Sequence, residues 1–243
     1  MHSVLETIPV YVGYDGQAEP VAYHVFCQSV ISRASQPISF HPLALNMIKG
    51  YRETHTDGSN AFIYSRFLVP YLEGYKGWAI FCDGDMICNA DIAELWAMRD
   101  PYKAVQVVKH DYKTKHPVKY LGAKNEDYPR KNWSSVMLIN CSHFAWRTIT
   151  PEFVQNATGS SYLHRFEFIA DDRIGELPME WNWLVEEYEH NDHAKLYHYT
   201  IGTPCFAEFS RCDHAGLWHK EHMKANNHKQ LFRVSNFPLI GAR

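Results

Sequence analysis

Residues 77–96 read GWAIFCDGDMICNADIAELW. Trp78 to Cys82 form a short apolar run that reads as a strand, and the chain then places Asp83 and Asp85 on its carboxyl end with Gly84 between them. Asp91 follows as the N-cap of a short helix to Met98, because its carboxylate can accept from the free N–H groups of the first turn. A strand, an abrupt acidic turn and a helix in this order point to an α/β protein.

Upstream the alternation repeats. Ile8 to Gly13 reads as a first strand, the loop through Asp15, Gly16 and Pro20 leads into a helix from Val21 to about Ala34, and Ile38 to Leu43 reads as a second strand. Asn60 to Tyr71 reads as one helix with Phe62, Ile63, Phe67 and Leu68 on its apolar face. Downstream, Ala104 to Val108 and Trp133 to Asn140 read as strands and Cys141 to Thr148 as a short helix. Residues 111–131 are polar, with Lys, Gly and Pro, and read as a long functional loop. Beyond Pro151 the signals shorten to a helix near Glu152 to Asn156, an element around Leu163 to Phe168 and a strand over Lys195 to Tyr199. The last forty residues read as polar and irregular. The expected architecture is a mostly parallel sheet with helices on both faces, whose ligands sit at the carboxyl ends of the strands. Asp83 and Asp85 fall there.

Two carboxylates one residue apart on a glycine turn can converge on one cation and leave coordination positions open for a ligand's oxygens. Hard divalent cations favour that arrangement, with phosphate completing the sphere. An acidic surface turn is the plainer alternative, and the position after an apolar strand argues against it.

Composition narrows the partners. A net charge of -3 over 243 residues provides no basic stripe for a nucleic acid. No basic leader followed by an apolar run opens the chain and no window approaches a membrane span, so a cytoplasmic protein without a transmembrane segment is expected. Six cysteines without C-x-x-C pairing (Cys27, Cys82, Cys88, Cys141, Cys205, Cys212) read as reduced thiols. Among the histidines, His214, His219, His222 and His228 invite a zinc reading, but without nearby cysteines or an acidic ligand they read as surface side chains. His110, Asp111 and Tyr112 follow a strand and are expected to line the pocket or to start a polar loop.

The segments VYVGYD (Val10 to Asp15), SNAFIYSRFLVPYL (Ser59 to Leu72), CDGDMI (Cys82 to Ile87) and WSSVMLINC (Trp133 to Cys141) together resemble the retaining, GT-A-fold nucleotide-sugar glycosyltransferases, close to family 8. The resemblance covers most of residues 8–206. It implies one GT-A-type domain over residues 1–243, with 207–243 as a C-terminal extension. It implies that Gly13, Tyr14 and Asp15 hold the nucleotide base and ribose, and that Arg66 lies by the donor diphosphate. Asp83 and Asp85 would bind Mn²⁺ or Mg²⁺, with His198 of HYTIGTP as third ligand and Gly202 and Pro204 following it. The histidine-to-glycine gap is one residue longer than the family pattern, and the lysine that commonly follows and touches phosphate is absent. Ser134 and Ser135 would lie beside the donor sugar. Asp171 and Asp172 of IADDRIGELPMEWN replace a more familiar acidic-amide pair, with Asp172 facing the anomeric carbon and Asn182 further on.

The implied activity is metal-dependent, retaining transfer of a hexosyl unit from a nucleotide diphosphate sugar, UDP-linked by the resemblance, to a glycan, lipid or protein acceptor. Two readings compete: a Mg²⁺-dependent haloacid-dehalogenase-like phosphohydrolase, whose D-x-D also follows a strand, and a catalytically silent sugar-nucleotide binder.

Overall fold

The computed structural model describes residues 6–56, 60–157 and 161–226. Ile8–Gly13 forms β1, Pro20–Ile31 α1 and Ile38–Leu43 β2. Pro20 enters α1 in its first turn, where a missing N–H costs nothing. The single helix expected over Asn60 to Tyr71 is broken into a 3-10 turn at Ser65–Leu68 and a short α2 at Val69–Leu72. Pro70 accounts for the break, since its ring lacks a donor and crowds the carbonyl of Arg66. Then come β3 (Trp78–Cys82), β4 (Met86–Cys88) and α3 (Ile92–Trp96), with Asp91 Oδ1 accepting the Ala93 N–H at 3.0 Å as the cap.

The second half of the chain contains β5 (Val105–Val107), β6 (Val136–Asn140), α4 (Pro151–Asn156) and α5 (Ser161–His164). It continues with β7 (Ile174–Glu176), β8 (Trp183–Leu184), β9 (Leu196–His198) and α6 (Ala215–Asn226). β6 starts three residues later than expected: Asn132 takes a left-handed conformation (φ 61°) and turns the chain into a 3-10 turn at Trp133–Ser135. Cys141 to Thr148 holds a 3-10 turn at Phe144–Thr148, and the element expected to Phe168 stops at His164, before a left-handed Phe166.

Six strands form one sheet in the order β2-β1-β3-β6-β5-β7, and β4, β9 and β8 form a second. In the large sheet β1 runs parallel to β2 and β3, and β5 parallel to β7, while β6 is antiparallel to both of its neighbours. The sheet is therefore mostly parallel, as expected, with one inverted strand. That inversion matters for the site. Cys82 pairs with Val136, so the amino end of β6, with Ser134 and Ser135 before it, meets the carboxyl end of β3.

Alternate residues of β3 pack into opposite layers, Ala79 and Phe81 with Phe67, Met137 and Trp146, Ile80 and Cys82 with Val10, Leu138 and Trp181. Burial on both faces explains why β3 reads as a continuous apolar run.

The C-terminal stretch is less irregular than expected. α6 packs against α1, Trp218 clustering with Val25, and its fully buried Glu221 pairs with Arg33 at 3.1 Å and Lys224 at 2.8 Å. A carboxylate on the inward face hides the amphipathic period from the sequence, because charged residues are seldom buried unless paired. His219 Nε2 lies 2.9 Å from the Ser210 carbonyl and His222 stacks on Trp218, while His228 lies outside the described residues. All six cysteines are free, and among the described residues no helix is long and apolar enough to cross a membrane.

Candidate functional site

The acidic turn lies against the end of β1. A Cβ on Gly84 would stand 2.4 Å from the Gly13 carbonyl oxygen, so only glycine permits this approach. The backbone on either side is pinned: the Asp83 N–H donates to the Ser135 carbonyl at 2.9 Å, and the Tyr199 N–H donates to the Asp85 carbonyl at 2.9 Å. The second of these bonds brings β9 alongside. His198 pairs with Met86 in the ladder, and its Nε2 lies 3.3 Å from Asp85 Oδ1 and 4.0 Å from Asp83 Oδ2. Ligand atoms of Asp83, Asp85 and His198 all fall within 4.8 Å of one another.

Electrostatics separate the two carboxylates. Burial pushes Asp83 up to about 6 against the pull of Arg66, whose Nη1 lies 2.9 Å from Asp83 Oδ1. Desolvation raises Asp85 too, but His198 and Lys119 together with a backbone hydrogen bond outweigh that cost and hold its carboxyl below the usual range. Asp83 Oδ1 and Asp85 Oδ1 are both buried without an aligned hydrogen bond. Buried carboxylate oxygens without an aligned hydrogen bond, beside an imidazole nitrogen, are a donor set that suits a hard or borderline divalent cation.

Asn182 orients the histidine. Its Nδ2 donates to Ser135 Oγ at 2.8 Å and to the Asn132 carbonyl at 3.3 Å, which leaves Oδ1 to accept from His198 Nδ1 at 3.1 Å. With Nδ1 bonded to Asn182, Nε2 is the ring nitrogen turned to the carboxylates, and a cation bound there would take its lone pair, the arrangement by which outer groups set a metal-binding tautomer. An Asn182→Leu variant is expected to lose roughly 10–100-fold in Mn²⁺ affinity, measured by calorimetric titration. Unchanged affinity would remove Asn182 from this role. In the sequence Asn182 stood only as a residue downstream of the acidic pair.

Arg66 reaches the site from the broken helix, its guanidinium between the Phe62 and Phe81 rings at 5.3 and 5.2 Å, with Nη1 donating to the Ser134 carbonyl at 3.1 Å. Ser134 Oγ lies 2.8 Å from His164 Nδ1, and burial drives that imidazole well below its ordinary range, so it is neutral. Ser135 Oγ donates to the Asn132 carbonyl at 2.7 Å, so it braces the turn. Arg66, Asp83, Asp85, Ser134, His164 and His198 line one cleft, joined by Lys119, Tyr120, Tyr128 and Thr200.

Tyr14 and Asp15 line a second pocket with Leu45, Asn46, Ala61 and Leu121. Asp15 Oδ1 accepts from the Gln17 and Ala18 N–H groups at 3.0 and 2.9 Å, and Oδ2 accepts from Ala61 at 3.0 Å, so its carboxylate organises the turn. Gly13 provides clearance for the Phe62 ring, which a Cβ would approach to 2.4 Å. Gly202 does the same for Phe209 at 2.3 Å. Tyr120 faces the first pocket and its neighbour Leu121 the second, so the 111–131 loop walls both. Sequence reading marks this loop as functional and singles out only Asp111 and Tyr112 at its start, not Lys119, Tyr120 or Leu121, since a polar loop has no periodicity from which to rank its residues.

Other expected residues lie elsewhere. Asp171 and Asp172 form a 3-10 turn before β7, at the amino end of a strand parallel to β5, while the D-x-D turn is at the carboxyl end of β3. Their side chains are 79% and 72% exposed, paired with Arg130 at 2.6 Å and Arg173 at 3.4 Å. This corrects their expected place beside the donor sugar: pairing of Ile174–Glu176 with β5 carries them to the far end of the sheet. His110 is buried with Nδ1 2.7 Å from the Tyr188 hydroxyl, and burial pushes it down to about 3. The Tyr112 hydroxyl accepts from Asn132 Nδ2 at 2.8 Å and Asp111 is exposed. None of these three lines the cleft.

His214 does have an acidic neighbour, contrary to expectation. Asp213 lies 2.8 Å from His190 Nδ1 and 3.3 Å from His214 Nε2. The two imidazoles stack at 4.6 Å and 10°, so their in-plane lone pairs run parallel instead of converging, and the carboxylate bridge accounts for the cluster.

No family model matches the chain. It is 41% identical over 221 residues to Protein CDI of Arabidopsis thaliana, covering 87% of this chain and 85% of that protein. The chain belongs to the Protein CDI family. Solved structures relate the family to a known fold. The bifunctional glycosyltransferase WbbM matches with a TM-score of 0.64 and 14% identity over 96% of this chain, which spans about half (52%) of that protein. GlyE of Streptococcus pneumoniae matches at 0.60 and 12% identity, with 96% of this chain and 65% of GlyE covered. The galactosyltransferase LgtC, solved with donor and acceptor sugar analogs, matches at 0.58 and 12% over 89% of this chain and 96% of LgtC. The fold of this Protein CDI family member is the GT-A fold, as the sequence resemblance implies.

Proposed function

We propose that this protein is a metal-dependent glycosyltransferase that moves a hexosyl unit from a nucleotide diphosphate sugar, UDP-linked, to a glycan, lipid or protein acceptor, with retention at the anomeric carbon. The observation that carries the reading is the convergence of Asp83, Asp85 and His198 on one point, beside Arg66, at the carboxyl end of β3 in this fold. Mn²⁺ or Mg²⁺, when bound there, supplies Lewis-acid stabilisation of the departing diphosphate. Arg66 adds a fixed positive charge close by, where a leaving phosphate gains charge. Ser134 and neutral His164 present polar atoms on the same wall, suited to sugar hydroxyls.

Retention is supported by what the cleft offers. Among the described residues lining it, carboxylates are confined to the two aspartates already committed to the cation, so an inverting reaction would lack its carboxylate base. A phosphohydrolase reading needs Asp83 as an exposed nucleophile, whereas it is buried against Arg66. A silent binder would tolerate erosion of the metal triad, and all three members converge. Six free cysteines fit a reducing, cytoplasmic setting, and we take residues 1–243 to act as one catalytic unit with 207–243 as its extension.

The test is a thermal-shift panel of UDP-, GDP- and ADP-linked sugars with and without Mn²⁺. Ligand at a hundred times its dissociation constant contributes about 2.7 kcal/mol, which for a chain of this size raises Tm by about 5–10 °C. Stabilisation is expected from UDP-sugars and only with the metal. No response to any of them would overturn the reading.

A further inference from the structure

The cleft has a second cation, and it comes from a segment remote from every residue so far placed in the metal site. Lys119 sits on the 111–131 loop, and its Nζ donates to Thr200 Oγ1 at 3.1 Å, two residues past His198. Next to it the Tyr120 N–H donates to the Ile201 carbonyl at 2.8 Å. Side chain and backbone thus fasten this part of the loop to the segment that carries the histidine.

The loop is built to hold that position. The Lys119 N–H donates to the Ala123 carbonyl at 2.8 Å, and Val118 bridges Lys124. Deeper in the loop, Lys131 Nζ donates to Asn125 Oδ1 at 2.7 Å, and Asn125 Nδ2 donates to the His116 carbonyl at 2.7 Å.

Among the described residues lining the cleft, the carboxylates are Asp83 and Asp85 and the cationic side chains are Arg66 and Lys119. A divalent cation neutralises the two aspartates, and a nucleotide diphosphate sugar then brings two negative charges that only Arg66 and Lys119 can balance. Arg66 already shares itself between Asp83 and the Ser134 carbonyl. Among the described residues the Lys119 Nζ makes its one hydrogen bond to a neutral hydroxyl, and an ammonium has three donors. That leaves two donors on a side chain that lines the cleft, where the remaining demand is for positive charge.

We propose that Lys119 is a phosphate-binding residue, which holds the diphosphate of the donor alongside Arg66 and couples the 111–131 loop to donor occupancy. It takes the place of the lysine that the segment after His198 lacks, where Gly202, Thr203 and Pro204 are followed by Cys205 and Phe206. The assignment rests on the donor reading above and adds to it a named ligand of the phosphate.

Calorimetric titration of UDP and of uridine, each with Mn²⁺ present, tests it on the full chain. Lys119→Gln is expected to weaken UDP by about tenfold or more, as for a lost charge-assisted hydrogen bond, and to leave uridine within about twofold. Lys119→Arg, which keeps the charge, should recover most of the loss. Unchanged UDP binding in Lys119→Gln, equal losses for UDP and uridine, or a Lys119→Arg variant that recovers nothing would overturn the assignment while the donor reading stands. A wild-type protein that binds neither probe would overturn the donor reading and the role of Lys119 with it.

Discussion

An Asp85→Asn variant is expected to lose metal-dependent UDP binding by roughly a hundredfold or more, since even outer partners of a metal site are worth about 10–100-fold. The substitution keeps the size of the side chain but removes the charge of the carboxylate held ionised by His198. The fold should survive. The bond that ties the turn to β9 runs from the Tyr199 N–H to the Asp85 backbone carbonyl, which asparagine retains. Calorimetry with Mn²⁺, with and without UDP, measures the loss, and circular dichroism checks the fold. Undiminished affinity in a folded variant would mean that the acidic turn serves the fold alone and would remove the metal from the proposed mechanism.

Arg66→Ala is expected to cost both stability and diphosphate binding. Arg66 is 4% exposed and Asp83 6% exposed, and breaking one side of a buried ion pair typically costs about 3–5 kcal/mol. Asp83 limits that cost by taking up a proton, because burial already places it at about 6 with Arg66 present, and removal of the guanidinium raises it further. The sign follows. A carboxyl raised above its unfolded value loses stability as pH climbs through the folded pKa, so the variant should fall furthest behind wild type at pH 8 and least at pH 5. Thermal unfolding across that range measures it, and a pH-independent deficit would show that the loss comes from packing between Phe62 and Phe81 instead. UDP affinity should fall more than uridine affinity in the same variant. Equal losses would assign Arg66 a structural role alone.

The parts of the site carried by β3 were legible in advance for a local reason. An apolar strand, a glycine turn and two carboxylates are contiguous, and a parallel sheet puts strand ends where ligands bind. His198 was reachable only through the family resemblance, because nothing local distinguishes a ligand histidine from a strand-end histidine. The Asp171–Asp172 pair failed for the complementary reason. Its local pattern was acceptable, but whether it precedes or follows its strand relative to the site depends on the pairing of β7 with β5, and that register is long-range. Lys119 and His164 carry no local signal, since neither a polar loop nor a one-turn helix shows which side chain points inward.

By itself the sequence determined the α/β alternation, the order of the main strands and the D-x-D turn, all of them properties of short windows. Tertiary structure alone decided that β6 runs backwards and sets Ser134 beside Asp83, and that β9 docks His198 on β4. It decided as well that Asn182 orients that imidazole and that the 111–131 loop delivers Lys119 to the same cleft. The difference is physical. Hydrophobic periodicity and turn chemistry act between neighbours in the chain, whereas a binding site is made of groups brought together by strand pairing and buried hydrogen bonds, whose partners lie many residues apart.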